Sequence, residues 1–176
     1  MRYNPDIHNR RSMRLQGYDY SKAGGYFITI CTYKRKCLFG EIMDGKMVKS
    51  EWLKISRIRE NITLDEFIIM PNHLHGIIII SESDKMIHHV GAIRRIAPTN
   101  NIKNPIGPKP GSIGAIMGQF KSITTKHINK IRNTQRTPVW QRNYYEHIIR
   151  DENELNQIRE YILSNPMKWS EDTYYL

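Results

Sequence analysis

Two histidines separated by one residue, His73-Leu74-His75, are the side chains of this chain best suited to chemistry. In a strand, residues two apart project from the same face, so both imidazoles point one way with ligand-like separation. Neutral imidazoles side by side suit a divalent cation. Toward the carboxy terminus, Tyr161 and Asn165 lie within about 40° of each other on a helix that turns roughly 100° per residue. They share the edge of a stripe made by Leu155, Ile158 and Ile162. A cation held by His73 and His75 could withdraw charge from a phosphate, and a phenol in line with it could attack the phosphorus. The resulting ester keeps the energy of the broken bond, so a free 3′-hydroxyl can reverse the step without ATP. Asn165 offers an amide oxygen as a third ligand, which suits magnesium or manganese with water completing the shell. Ligation needs neutral imidazoles, so activity should fall at acid pH.

Each feature also has a plainer reading. A histidine on an apolar face is commonly a satisfied core residue, and a tyrosine at a core boundary is commonly a packed aromatic, here one of ten. A structural zinc site would be expected to show paired cysteines, and a three-ligand catalytic zinc would need His8, His88, His89, His127 or His147 to arrive from elsewhere. Cys31 and Cys37, the only cysteines, match no common zinc or redox spacing and read as reduced thiols.

The elements that must carry these groups can be read from periodicity. Residues 26–32, Tyr-Phe-Ile-Thr-Ile-Cys-Thr, are aromatic and β-branched and predict a buried strand. Asp44-Gly45 between residues 38–43 and 46–49 predicts a hairpin, and residues 51–59 a short helix with Trp52, Ile55 and Ile58 on one side. Residues 65–70 and 73–80 predict two adjacent strands joined at Pro71-Asn72, the centre of the sheet. A helix from Ser112 has Ile113, Ile116, Met117, Phe120, Ile123, His127, Ile128 and Ile131 on its buried stripe. Residues 139–149 read as extended, and Asp151 caps a last helix, with Glu154 placed for a capping box and an end at Asn165 before Pro166. Hairpins mixed irregularly with helices suit an antiparallel sheet with helices packed on it.

With 176 residues, one domain spanning 1–176 is expected, with a basic arm over 1–25 and a loop over 81–110 that lacks any usable period. The net charge of +10 is unevenly spread: +6 over 1–40, −3 over 41–84, +11 over 85–145 and −4 over 146–176. Residues 85–145 hold eleven Lys and Arg and no Asp or Glu, as a surface facing a polyanion would; a charge-biased loop and helix without a partner is the plainer alternative. No apolar run approaches the roughly 20 residues of a spanning helix, and no secretory leader is visible, so a cytoplasmic protein without membrane contact is expected.

Met70-Pro71-Asn72-His73-Leu74-His75-Gly76 resembles the His-hydrophobic-His motif of the HUH single-tyrosine transposases. Four further stretches are similar to the REP-associated tyrosine transposase branch. They are Gly118-Gln119-Phe120-Lys121-Ser122, residues 139–150, residues 161–166 and the arm from Arg10-Arg11-Ser12 through Gly17-Tyr18-Asp19-Tyr20. The motifs follow the family order and span nearly the whole chain. The resemblance implies an α+β, ferredoxin-like HUH fold, a central antiparallel sheet with helices packed on one face and both histidines on a central strand. It implies Tyr161 as nucleophile, a magnesium or manganese site of His73 and His75 completed by Asn165, and a 5′-phosphotyrosine intermediate on single-stranded or hairpin DNA. It is also compatible with a monomer or a homodimer, and with a bacterial, nucleoid-associated location. Two features depart from the family pattern. The stretch between Asp44-Gly45 and Leu64 is short, which implies a truncated first helix, and Asn165 stands where related branches carry glutamine.

The DNA would lie against Lys121, Lys126 and Lys130, with Arg10, Arg11 and Arg14 of the arm on phosphate and Gln141-Arg142 reading bases. Trp140 as core and Gln141-Arg142 as a solvated turn are the alternative. Two other functional classes fit the same residues: a non-catalytic module that binds repeat DNA and regulates, and a zinc hydrolase of another phosphodiester.

Overall fold

The computed structural model describes residues 15, 17–40, 42–82 and 108–171. Its sheet grows from the two most apolar runs of the chain. Strand β1 (Gly24–Cys31) and strand β3 (His73–Ile80) pair antiparallel along their whole length, from Gly24 opposite Ile80 to Cys31 opposite His73. Strand β2 (Ile62–Met70) adds to β3, and β4 (Tyr145–Ile149) to β1, giving the order β2-β3-β1-β4, antiparallel throughout. The two strands buried on both sides are therefore central, which is why they read as continuous β-branched and aromatic runs.

Helix α1 (Ile42–Arg57) connects β1 to β2, α2 (Ile113–Ile131) follows β3, and α3 (Glu152–Ser164) follows β4. Helices α1 and α2 cover one face of the sheet, where Tyr26, Ile28, Ile30, Leu74 and Ile78 meet Val48, Trp52, Ile116, Met117 and Phe120. The fold class is α+β with an antiparallel sheet, as expected, but the helices do not all lie on one face. Helix α3 covers the opposite face, its Ile162 packed on Phe27 and Ile77 with Leu155 and Ile158 alongside. Strand alternation requires this: Phe27 and Ile77 are apolar residues on the histidine side and need a cover of their own.

Several local expectations change. The Asp44-Gly45 hairpin is absent, because these residues lie in the first turn of α1. Val48, Trp52 and Ile55 are buried at helical spacing, and their packing overrides the local turn preference. The first helix is thus 16 residues long, and its apparent truncation came from assigning its first turns to a hairpin. Ile58, expected on the buried side, is exposed. On α2, Thr124 and Asn129 are buried where Ile123, His127 and Ile131 were expected, and Ile131 is exposed. The hydroxyl of Thr124 explains the rotation, since it accepts the indole N–H of the buried Trp140 at 2.8 Å. Ser112 caps α2 through its hydroxyl. Of the extended stretch 139–149, only Tyr145–Ile149 is strand. The described part of the arm is packed, with Tyr20 in the core and Gly24 and Gly25 in β1. Arg10, Arg11 and Arg14, and residues 83–107 of the expected loop, lie outside the described residues.

Gly76 explains how closely α1 approaches the sheet. A Cβ at this position would sit 2.5 Å from Trp52 Cζ2 and 3.1 Å from Phe67 Cβ. Gly76→Ala should cost about 1–3 kcal/mol by overpacking, read as a lowered denaturant midpoint at unchanged slope.

Candidate active site beneath the last helix

Alternation along β3 sends Leu74 and Gly76 toward α1 and leaves His73 and His75 on the α3 side. The imidazole centroids are 4.5 Å apart, and both residues are buried. Each is oriented through its Nδ1. Asn72 Nδ2 donates to the Arg35 carbonyl at 3.2 Å, so its Oδ1 is the atom facing His73 Nδ1 at 2.8 Å. An amide oxygen only accepts, so His73 carries its proton on Nδ1 and its lone pair on Nε2, as a metal ligand must. Thr29 lies opposite His75 across the β1–β3 ladder, and its hydroxyl shares a 2.7 Å hydrogen bond with His75 Nδ1. That leaves His75 Nε2 facing α3. Burial, and then the neighbouring His73, push the His75 titration down to about 3, so this imidazole is neutral at neutral pH. The sequence reading missed Asn72 and Thr29. Asn72 adjoins the motif and was visible there as a polar neighbour, whereas Thr29 is 46 residues away from His75 and only strand pairing reveals it.

Helix α3 brings the phenol to this pair. Asp151 caps its start, accepting from Glu154 N at 2.8 Å, while the Glu154 carboxylate accepts from Arg150 N rather than from the cap residue itself. Tyr161 OH lies 3.3 Å from His75 Nε2, and the ring meets Phe27 edge-on. Tyr161 remains 43% exposed. One turn further, Asn165 is the C-cap of α3 and is buried, and its Oδ1 accepts no hydrogen bond among the described residues. Trp169, four residues later in the 3-10 turn Asn165–Glu171, lies 5.8 Å from the His73 ring. Asn165 is thus bracketed by residues that touch each imidazole. Two imidazole nitrogens and a buried carbonyl oxygen without a donor are the atom types that fit a divalent cation of moderate hardness.

The other histidines named as zinc ligands do not join the pair. His147 Nε2 donates to Glu154 at 2.6 Å, and His127 lies 3.5 Å from Glu51; His8, His88 and His89 are outside the described residues. Among the described residues no group of three His, Cys, Asp or Glu could hold a metal.

Of the expected DNA-contacting residues, Lys121, Gln141 and Arg142 come together. Lys121 Nζ donates to the Gln141 carbonyl and, at 3.0 Å, to that of Arg142. Burial pushes its titration down to about 8. Lys121 therefore pins the 141–142 loop rather than standing free on a surface. Gln141 N donates to the Cys31 carbonyl, and Cys31 is opposite His73, which sets this loop at the histidine end of the sheet. Lys126 and Lys130 are exposed, but on α2, in the layer across the sheet from the imidazoles. Trp140 is core, its ring tilted against those of Phe39 and Phe120.

No protein-family model matches the sequence. An uncharacterised protein of Haemophilus influenzae is 43% identical over 183 residues, spanning 99% of this chain and 98% of its own. These two chains belong to one family. Among solved structures, a REP-associated tyrosine transposase bound to a REP hairpin superposes with a TM-score of 0.59 at 19% identity, covering 90% of this chain and 74% of that one. The chain has the HUH transposase fold. A crystal structure of a candidate transposase from Deinococcus radiodurans is more distant, with a TM-score of 0.47 and 15% identity over 87% of this chain and 97% of that one. In this HUH fold no helix among the described residues is long and apolar enough to cross a membrane.

The burial of neutral His75 has a consequence for stability. Unfolded, its imidazole titrates near 6.5; folded, near 3. Between these values the unfolded chain binds the extra proton, so stability is full above pH 6.5 and falls as the pH drops toward 3, by about 1.4 kcal/mol per unit. In metal-free buffer the native chain should lose about 2 kcal/mol more than His75→Gln between pH 6.5 and 4.5, measured by denaturant unfolding. Parallel curves would contradict a buried neutral imidazole.

Proposed function

We propose that this chain is a tyrosine transposase of the REP-associated kind, cleaving and rejoining single-stranded DNA that carries a hairpin. The observation that carries the reading is the hydroxyl of the partly exposed Tyr161, which lies 3.3 Å from His75 Nε2, beside a second imidazole on the same face. Tyr161 is the nucleophile in this reading. His73, His75 and Asn165 would hold magnesium or manganese, which when bound withdraws charge from the scissile phosphate.

The residues of the chain do the rest. Asn72 and Thr29 keep both imidazoles in a fixed orientation with Nε2 turned outward. The Tyr161 oxygen loses its proton to solvent and attacks the phosphorus, and the bond from phosphorus to the 3′-oxygen breaks. One strand end then carries a 3′-hydroxyl, and the other is joined through its 5′-phosphate to Tyr161. Attack by a 3′-hydroxyl on that ester restores a phosphodiester and frees the phenol. Hairpin DNA as the substrate element is supported by the ligand of the structure with the same fold. The region 85–145, without a carboxylate, supplies the charge for phosphate contact, and the pinned Gln141-Arg142 loop reaches the histidine end of the sheet. Arg10, Arg11 and Arg14 would add phosphate contacts from the arm, and Lys126 and Lys130 from the far layer.

Incubated with a labelled hairpin oligonucleotide bearing a single-stranded flank and with manganese, the protein should form a denaturation-resistant adduct, absent in Tyr161→Phe. An adduct surviving in that variant would remove Tyr161 from the role, and tight binding with no adduct would make the chain a non-catalytic repeat-binding module. Full activity with magnesium and no zinc in the purified protein would dispose of the zinc hydrolase reading. Affinity for the hairpin should fall steeply between about 50 and 200 mM salt. Asn72→Ala should weaken manganese binding about 10- to 100-fold by freeing the His73 ring, measured by calorimetry.

A further inference from the structure

The helix that carries Tyr161 rests on little apolar surface. Among the residues of α3 only Ile162 is fully buried, with Leu155 and Ile158 partly covered. Apolar contact is non-directional and leaves the roll of the helix about its axis loosely set. Directional contacts are made at both edges of the sheet. On β4, His147 and the Arg150 N–H both donate to Glu154, at 2.6 and 2.7 Å. On β2, Arg159 grips Asp65 with two parallel hydrogen bonds, Nε to Oδ1 at 2.9 Å and Nη2 to Oδ2 at 2.6 Å. Strands β2 and β4 are the two edge strands, so α3 is fastened across the full width of the sheet.

The β2 contact lies at an irregularity in the strand. Leu64 and Phe67 both pack on the α1 side, and the pairing of β2 with β3 shifts register between them. Asp65, next to Leu64, falls on the α3 side by ordinary alternation and meets Arg159 there, and the extra residue returns Phe67 to the α1 side. The Arg159 guanidinium holds the Asp65 carboxyl below the usual carboxylate range. On the helix, Arg159 and Tyr161 lie about 80° to either side of the stripe of Leu155, Ile158 and Ile162. A roll that released Arg159 from β2 would move the phenol relative to the sheet.

We propose that the Arg159–Asp65 ion pair is a positioning clamp for Tyr161, fixing the roll of α3 so that the phenol stays at His75. It governs how fast bound DNA reacts, and it leaves the strength of DNA binding alone. The proposal rests on the nucleophilic role given to Tyr161 above, and Arg159 and Asp65 are positioning residues.

The test uses full-length protein with 3-fluorotyrosine placed at position 161, and compares Arg159→Met, Asp65→Asn and Ile55→Val, the last as a core destabilisation on the other face. In Arg159→Met and Asp65→Asn the fluorine resonance should shift and broaden, and adduct formation at saturating hairpin DNA with manganese should slow about 10- to 100-fold. The Kd of Asp65→Asn for DNA should stay within about twofold of the native value, and Ile55→Val should change neither resonance nor rate. Native resonance in both clamp variants, or native adduct rate in Asp65→Asn, overturns the clamp. Slowing confined to Arg159→Met together with weakened DNA binding also overturns it, because Arg159 would then be a phosphate contact. A native protein that forms no adduct overturns the nucleophile reading instead, and the fluorine resonance alone then decides the clamp.

Discussion

The register of β3 between β1 and β2 is the constraint on which the rest of this structure depends. A strand has a side-chain period of two, so a slip by one residue would bury His73 and His75 against α1 and turn Leu74 and Gly76 to the α3 face. Gly76 opposes that slip. Trp52 of α1 approaches it so closely that even a Cβ has no room. A core contact on one face thereby sets the orientation of the polar pair on the other.

The two faces of the sheet divide the work. The α1–α2 face holds the larger apolar cluster, with Trp52, Phe120 and Trp140 at its centre. The α3 face has a smaller cluster of Phe27, Ile77 and Ile162 with partly buried residues such as Leu155 and Ile158 alongside, and polar, directional contacts at its edges. Such a layer leaves the Tyr161 ring partly exposed, where a larger apolar cluster would bury it. Polar contacts at the sheet edges supply the missing definition, and the His75 imidazole beneath is kept neutral by burial in the central strand.

Lys121 shows how a charge count can mislead. It lies in the stretch without a carboxylate, on the helix expected to face DNA, yet its ammonium is spent on two main-chain carbonyls of the 141–142 loop. Its observed part is to hold that loop. The same caution applies to the hairpin expected at Asp44-Gly45: a two-residue turn signal is local, and the apolar spacing of Val48, Trp52 and Ile55 outweighs it once a sheet is present to pack on.

By itself the sequence determined the strand character of 73–80, the common face of the two imidazoles, the start of α2 at Ser112 and the capped helix bearing Tyr161 and Asn165. All of these follow from short-range periodicity and capping, which the backbone enforces within a few residues. Only the tertiary structure decided which face α3 covers, that Thr29 orients His75 from a strand 46 residues away, that Arg159 finds Asp65 across 94 residues, and that Lys121 turns inward. These depend on strand order, which is a property of the whole chain's packing that no local window contains.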